Sequence, residues 1–197
     1  MRRRTALLPL TLLLAMAIVA SADPARDRER LVAAARAQVG VTTSYDPSYH
    51  SIPYPGGDVP LSGGVCTDVV IRALRANGVD LQRLVHEDMR ANFSAYPKRW
   101  GLRRPDRNID HRRVPNLQTF FTRKGMSLPV TRSSRDYAAG DIVTWLLPGG
   151  LPHIGIVSST KTAITGRPLI VHNIGSGAQH EDVLFAWNVT GHYRWYR

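Results

Sequence analysis

Gly63-Gly64-Val65-Cys66-Thr67-Asp68 carries the only cysteine of the 197-residue chain and opens a helical pattern. Val69, Val70, Ala73 and Leu74 fall at i, i+1, i+4 and i+5, polar Arg72, Arg75 and Asn77 interleave them, and Gly78 follows. That spacing predicts an amphipathic helix from Thr67 to Asn77, with Cys66 at its first turn. Unpaired N–H groups and the positive end of the helix dipole favour a thiolate there, lowering the thiol pKa from its free value of about 8.5. The two glycines let the backbone approach closely and leave room for a substrate beside the sulfur. A free cysteine is equally suited to packing as a small hydrophobe beside Val70 and Ala73, so this stretch alone supports both a nucleophile and a core residue.

Outward from that stretch, the N-terminus bears on the choice. Arg2-Arg3-Arg4, an apolar run from Ala6 to Ala20 and Ala20-Ser21-Ala22 read as the charged region, core and cleavage site of a secretory signal peptide over residues 1–22. Residues 23–197 are then one exported domain, periplasmic or secreted. The run is interrupted by Pro9 and Thr11 and is shorter than the roughly 20 residues a spanning helix needs, so no stable membrane anchor is expected after cleavage. An exported chain with a single cysteine forms no internal disulfide, so its lone thiol needs another reason to be there. The formal net charge is +11, and only three of the arginines lie in the leader, so the mature chain favours anionic surfaces such as wall polymers. The charges are scattered and no nucleic-acid motif is present, so no nucleic-acid partner is expected.

Leu31, Val32, Ala35 and Val39 give a first helix from Arg28 to Val39, ended by Gly40. Pro47, Pro53, Pro55, Pro60 and several glycines then imply an irregular loop that delivers Tyr45, Tyr49 and Tyr54 towards the cysteine helix. Leu81, Leu84, Val85 and Met89 mark another helix. His86-Glu87 lacks the second histidine of a zinc-protease helix, because Arg90 stands there. Asp106, Asn108 and Asp110 alternate like the opening of a calcium loop, but His111 and Leu117 replace the required Gly and Glu. No metal or cofactor is expected. Pro115 suits position N1 of a helix that Gly125 ends. The last third changes period: Ile142 to Leu147, Ile154 to Val157, Pro168 to His172 and part of Trp187 to Tyr196 read as strands. Helices followed by an antiparallel sheet make an α+β fold.

A cysteine nucleophile needs a base and a group to orient that base. His153 and His172 lie in adjacent predicted strands, where antiparallel pairing can set both near one sheet edge. Cys66, then Ala139-Gly140-Asp141-Ile142-Val143-Thr144-Trp145, then Pro152-His153-Ile154-Gly155-Ile156-Val157, then Leu169-Ile170-Val171-His172-Asn173 resemble the successive blocks of the NlpC-type, papain-like cell-wall cysteine peptidases. The outline covers roughly Leu31 to Val171. Gly64 to Asp68, His86 to Met89, Asp110 to Leu117 and Leu151 to Val157 further resemble an exported bacterial subgroup, YijF-like, that is known as a domain of unknown function.

The resemblance implies a papain-like α+β fold and a thiol hydrolase that cleaves an amide bond in peptidoglycan peptides. Cys66 is then the nucleophile, His153 the base and His172 the orienting residue, with Asn173 a second candidate for that last role. The Cys66 N–H and a tyrosine, Tyr45 or Tyr54, would hold the oxyanion. Around the nucleophile the peptidases carry Asp-Cys-Ser-Gly where this chain has Val65-Cys66-Thr67-Asp68, so the chemistry transfers further than the substrate does. Asp68, His111, Arg112 and Arg113 are candidate substrate-binding residues, through charge-assisted pairs with a substrate carboxylate. Two other functions fit the same fold: a non-catalytic wall-binding module, and an acyltransferase that passes the thioester to an acceptor other than water.

Overall fold

The computed structural model describes residues 23–197; the signal-peptide reading falls on residues outside them. Four α-helices come first, α1 (Pro24–Arg36), α2 (Cys66–Arg75), α3 (Leu81–Ala91) and α4 (Val114–Arg123). Five strands follow: β1 (Ile142–Leu146), β2 (Pro152–Lys161), β3 (Pro168–Asn173), β4 (Ala178–Glu181) and β5 (Asn188–Tyr193). They form one sheet in the order β4-β3-β2-β1-β5, with every pair antiparallel. The chain is thus α+β, helices before sheet, as its change of period predicts.

Each helix follows its own signals. Asp23 caps α1 by accepting from Ala25 N–H, and the apolar face Leu31, Val32 and Ala35 is buried. This helix stops at Arg36, three residues short of expectation, so Val39 is exposed in the following turn. Pro115 occupies the second residue of α4 rather than the first. The faces of α1, α2 and α4 meet Ile142, Ile154, Ile156 and Val171 from one side of the sheet. Each such fully buried side chain contributes about 1.5–3 kcal/mol. The other side packs Val143, Trp145, Val157 and Ile170 under Tyr137 and Leu184, with Trp145 Nε1–H donating to Leu184 O at 2.9 Å. Burial on both faces explains why β1 reads as an apolar run broken only by Thr144.

Two buried ionic clusters fix the irregular parts. Arg72 on α2 donates to Asp58, Thr42 and the carbonyls of Val59, Pro60 and Gly63, which fastens the proline-rich loop to the cysteine helix. Fully buried Asp141, just before β1, accepts from His192 Nε2 at 2.7 Å and from Arg194 at 2.7 and 2.8 Å, locking the last strand to the first. β4 escaped the sequence reading, because Ala-Gln-His-Glu has neither β-branched residues nor an alternating apolar pattern.

Candidate active site

Cys66 is the first residue of α2, and its side chain is buried against the strand layer. Val65, at the N-cap, has no side-chain acceptor, so the cap is one-sided: Asp68 Oδ2 accepts the Val65 N–H at 2.6 Å. Gly64 makes this possible, since at φ +146° it adopts a conformation that side chains rarely tolerate, and an added Cβ would lie 2.8 Å from Asp68 Oδ2. The backbone N–H groups of Ile154, Thr67 and Cys66 itself are aimed at the sulfur and favour a thiolate. Burial nevertheless outweighs them and, with the Asp68 charge, pushes the thiol up to about 12. The lowered pKa expected from the helix terminus is therefore corrected: at neutral pH the resting group is a thiol.

The Ile154 nitrogen belongs to the peptide bond that follows His153, so the sulfur abuts the start of β2 at that histidine. His153 and His172 stand on one face of neighbouring strands, and Gly155 between them leaves the space they occupy: a Cβ there would lie 2.7 Å from Ile170 Cγ2 and 3.1 Å from His172 Cβ. Their rings meet through His153 Nε2 and His172 Nδ1, 2.8 Å apart, and His172 Nε2 lies 3.1 Å from Glu181 Oε2. Trp145 and Trp187 wall the pair, with ring centroids 5.9 and 5.7 Å from His153, and so exclude water from the hydrogen bond between the imidazoles.

Only one arrangement of protons satisfies these contacts with neutral rings. A carboxylate only accepts, so His172 Nε2–H donates to Glu181 and His172 Nδ1 is left as an acceptor. His153 Nε2–H donates to it, and His153 Nδ1 keeps its lone pair. Burial, reinforced by the neighbouring His172, holds the His153 imidazolium down to about 3. His153 is thus a neutral imidazole across the physiological range, hydrogen-bonded to His172. Glu181 is the one member of this hydrogen-bonded run that sequence reasoning missed, and it rides on the strand that was missed with it.

The other candidates separate. Tyr45 shares a cavity of about 220 Å³ with Cys66, Trp100, Arg112, Arg113 and Pro152, and burial together with the charges of Cys66 and Asp68 pushes its hydroxyl up to about 12. Tyr54 is elsewhere, packed edge-on against His86 with ring centroids 5.2 Å apart, and Tyr49 bonds Asp106 and Asn108. Of the three loop tyrosines only Tyr45 reaches the cysteine. Asn173 points to the helix side of β3, where its Nδ2 donates to Gly64 O at 2.9 Å and Ser44 O at 3.2 Å, so it braces the cysteine loop rather than orienting the base. Asp68 and Arg112 are a buried ion pair, with Nη2 to Oδ2 at 2.9 Å and Nε to Oδ1 at 3.0 Å. Arg112 spends its remaining donors on Ser48 O and Asp46 O. Both are structural, not free to meet a substrate. His111 is buried among Arg112, Arg75, Asp80 and Asp58, away from the cysteine, where burial holds it down to about 3. Arg113 alone of that group keeps a largely uncommitted guanidinium at the cavity.

Among the described residues no cluster of His, Cys, Asp or Glu has the geometry of a metal site, and no helix is long and apolar enough to cross a membrane.

Residues 32–195 match the family model described as "Domain of unknown function (DUF1287)". The chain is 60% identical over 162 residues to "Uncharacterized protein YijF" of Escherichia coli (strain K12), covering 82% of this chain and 78% of that protein. Among solved structures it is similar to "Structure of NlpC1 from Trichomonas vaginalis", with a TM-score of 0.47 and 12% identity. That likeness covers 87% of this chain and spans 45% of the other.

Proposed function

This chain belongs to the DUF1287 family, and from that premise we propose that it is an exported cysteine hydrolase cutting an amide bond in peptidoglycan peptides. The observation that carries the reading is the hydrogen-bonded run His153–His172–Glu181, which begins at the residue adjoining the buried Cys66 thiol. A buried pair of histidines bonded to each other and to a carboxylate, at the strand start whose Ile154 N–H is aimed at the cysteine sulfur, is an arrangement that packing alone does not require.

In this reading Cys66 enters as a neutral thiol. His153 Nδ1 takes its proton as the sulfur attacks the substrate carbonyl, so charge develops only on the way to the tetrahedral intermediate. The Cys66 N–H and the Tyr45 hydroxyl stabilise the oxyanion. His153 returns the proton to the leaving amine, and water, activated by the same nitrogen, releases the acyl group from the thioester.

The test is digestion of purified peptidoglycan sacculi by residues 23–197, followed by mass spectrometry of the released peptides. The expected result is fragments bearing a new amine and a new carboxylate, absent with Cys66→Ser and His153→Ala. Co-sedimentation with sacculi without release would overturn hydrolysis in favour of a wall-binding module, and a mass gain on an added amine would point to acyl transfer.

A further inference from the structure

Residues 90–113 hold eight Lys and Arg side chains against two acids, Asp106 and Asp110, a net +6. The whole chain carries +11, three of these charges being Arg2, Arg3 and Arg4, so residues 23–197 carry +8 and nearly all of it lies in this one stretch. Arg112 is buried and Arg113 nearly so, but Arg90, Lys98, Arg99, Arg103, Arg104 and Arg107 are exposed. Charges that are dispersed along the chain are gathered by the fold. Arg90 and Arg107 both lie beside His86, whose imidazole is held below its ordinary value by burial and then by those two charges.

Nothing in the protein neutralises this face. Glu87 is engaged by Arg83, Asp88 by Arg123 and Lys124, and Asp106 by the Tyr49 hydroxyl, which leaves the side chains of Arg90, Arg99, Arg103 and Arg104 without a hydrogen bond or ion pair among the described residues. Uncompensated like charges repel one another and favour an anionic partner.

The loop between α3 and α4 says which partner. Lys98-Arg99-Trp100-Gly101-Leu102-Arg103-Arg104 sets a pair of cations on each side of an apolar tip. Gly101 turns the chain there at φ +66°, a conformation that favours glycine. Trp100 is 40% exposed at the tip, with the Arg113 guanidinium 4.2 Å from its ring centroid. An exposed indole flanked by Lys and Arg suits a membrane–water interface, where the ring sits among the headgroups and the cations meet anionic lipid. A wall polymer would be met by the charges alone and offers the apolar tip nothing to enter.

We propose that residues 98–104, with Arg90 and Arg107 beside them, dock this protein reversibly onto a bilayer surface rich in anionic phospholipid, with Trp100 and Leu102 entering the headgroup layer. Trp100 also lines the Cys66 cavity, so docking brings the mouth of that cavity to the bilayer. The contact is independent of the hydrolase reading, and its test needs no turnover.

Residues 23–197 are to be sedimented with vesicles of phosphatidylcholine alone and of phosphatidylcholine with about one third phosphatidylglycerol. The expected result is binding to the anionic vesicles only, weakening steeply as salt rises, with a blue shift of tryptophan emission that Trp100→Ala removes. Each basic side chain at the surface is worth about fivefold in the partition coefficient, so Arg103→Gln combined with Arg104→Gln should lower it on the order of thirtyfold. Trp100→Ala should lower it severalfold and keep the salt dependence. Arg30→Gln combined with Arg135→Gln, which removes exposed charges outside residues 90–113, should lower it far less. Equal binding to both vesicles, or binding to neither, overturns the proposal, as does wild-type binding by the Arg103 and Arg104 double variant or by Trp100→Ala. Retention on purified sacculi but on neither vesicle also overturns it and assigns the face to a wall polymer. Vesicle binding with sacculi left uncut would sink the hydrolase reading alone.

Discussion

Glu181 is half-exposed and lies a full imidazole away from His153, yet it decides which nitrogen of His153 is bare. Glu181→Ala removes the acceptor that holds the Nε2–H form of His172, so both rings become mixtures of tautomers. Nitrogen-15 spectra of the imidazoles should show this directly, and turnover should fall about tenfold or more; a single unchanged tautomer of His172 in the variant would contradict the assignment. The thiol supplies a second residue-level outcome. With its pKa pushed up to about 12 by burial, alkylation of Cys66 by iodoacetamide should rise about tenfold per pH unit from pH 7 to 9. A plateau in that range would mean a preformed thiolate. Cys66, His153 and His172 were legible in the sequence because their order and flanking blocks form a pattern. The thiol's protonation was not, since the helix dipole is visible in a sequence and the depth of burial that opposes it is not.

At the level of elements, the start of α2 depends on its buried ion pair. Arg112→Met leaves Asp68 charged, buried and still obliged to accept the Val65 N–H, and should cost about 3–5 kcal/mol in urea unfolding. Partial recovery in the double variant with Asp68→Leu would separate the stranded charge from lost packing. A loss below 1 kcal/mol would show the pair to be dispensable. Asp68, His111 and Arg112 looked like ligands for a substrate because polar residues in a basic, turn-like stretch give no sign of being inside. The loop tyrosines failed similarly: proline and glycine announce an irregular path, but the direction of each side chain follows from anchors such as Arg72, whose partners lie up to 30 residues away. Helices and central strands were readable from their periods, whereas β4 has no period to read and depends on pairing with β3.

For the whole molecule, two buried imidazoles contribute to the response to acid, beside carboxylates such as Asp88 and Asp141 whose ion pairs are lost on protonation. His111 and His153 are held down to about 3 by burial, against about 6.5 in an unfolded chain, so between these values the unfolded state binds more protons than the native state. Stability is then fully present above about pH 6.5 and is lost as pH falls towards 3, by up to about 1.4 kcal/mol per unit for each group. Asp110, pushed up to about 6, acts in the opposite sense and offsets part of this loss. Comparison of the wild type with His111→Gln cancels the Asp110 contribution. Urea unfolding from pH 4 to 7 should show a shallower pH dependence in the variant, and identical slopes would contradict the buried neutral state of His111. The central claim, that Cys66 is a nucleophile served by His153, is tested most directly by acid-quenching the protein with peptidoglycan peptides and weighing it intact. The account predicts an acyl adduct on Cys66 that hydroxylamine removes and that Cys66→Ser abolishes along with cleavage. Cleavage that persists at the wild-type rate in Cys66→Ser would contradict it.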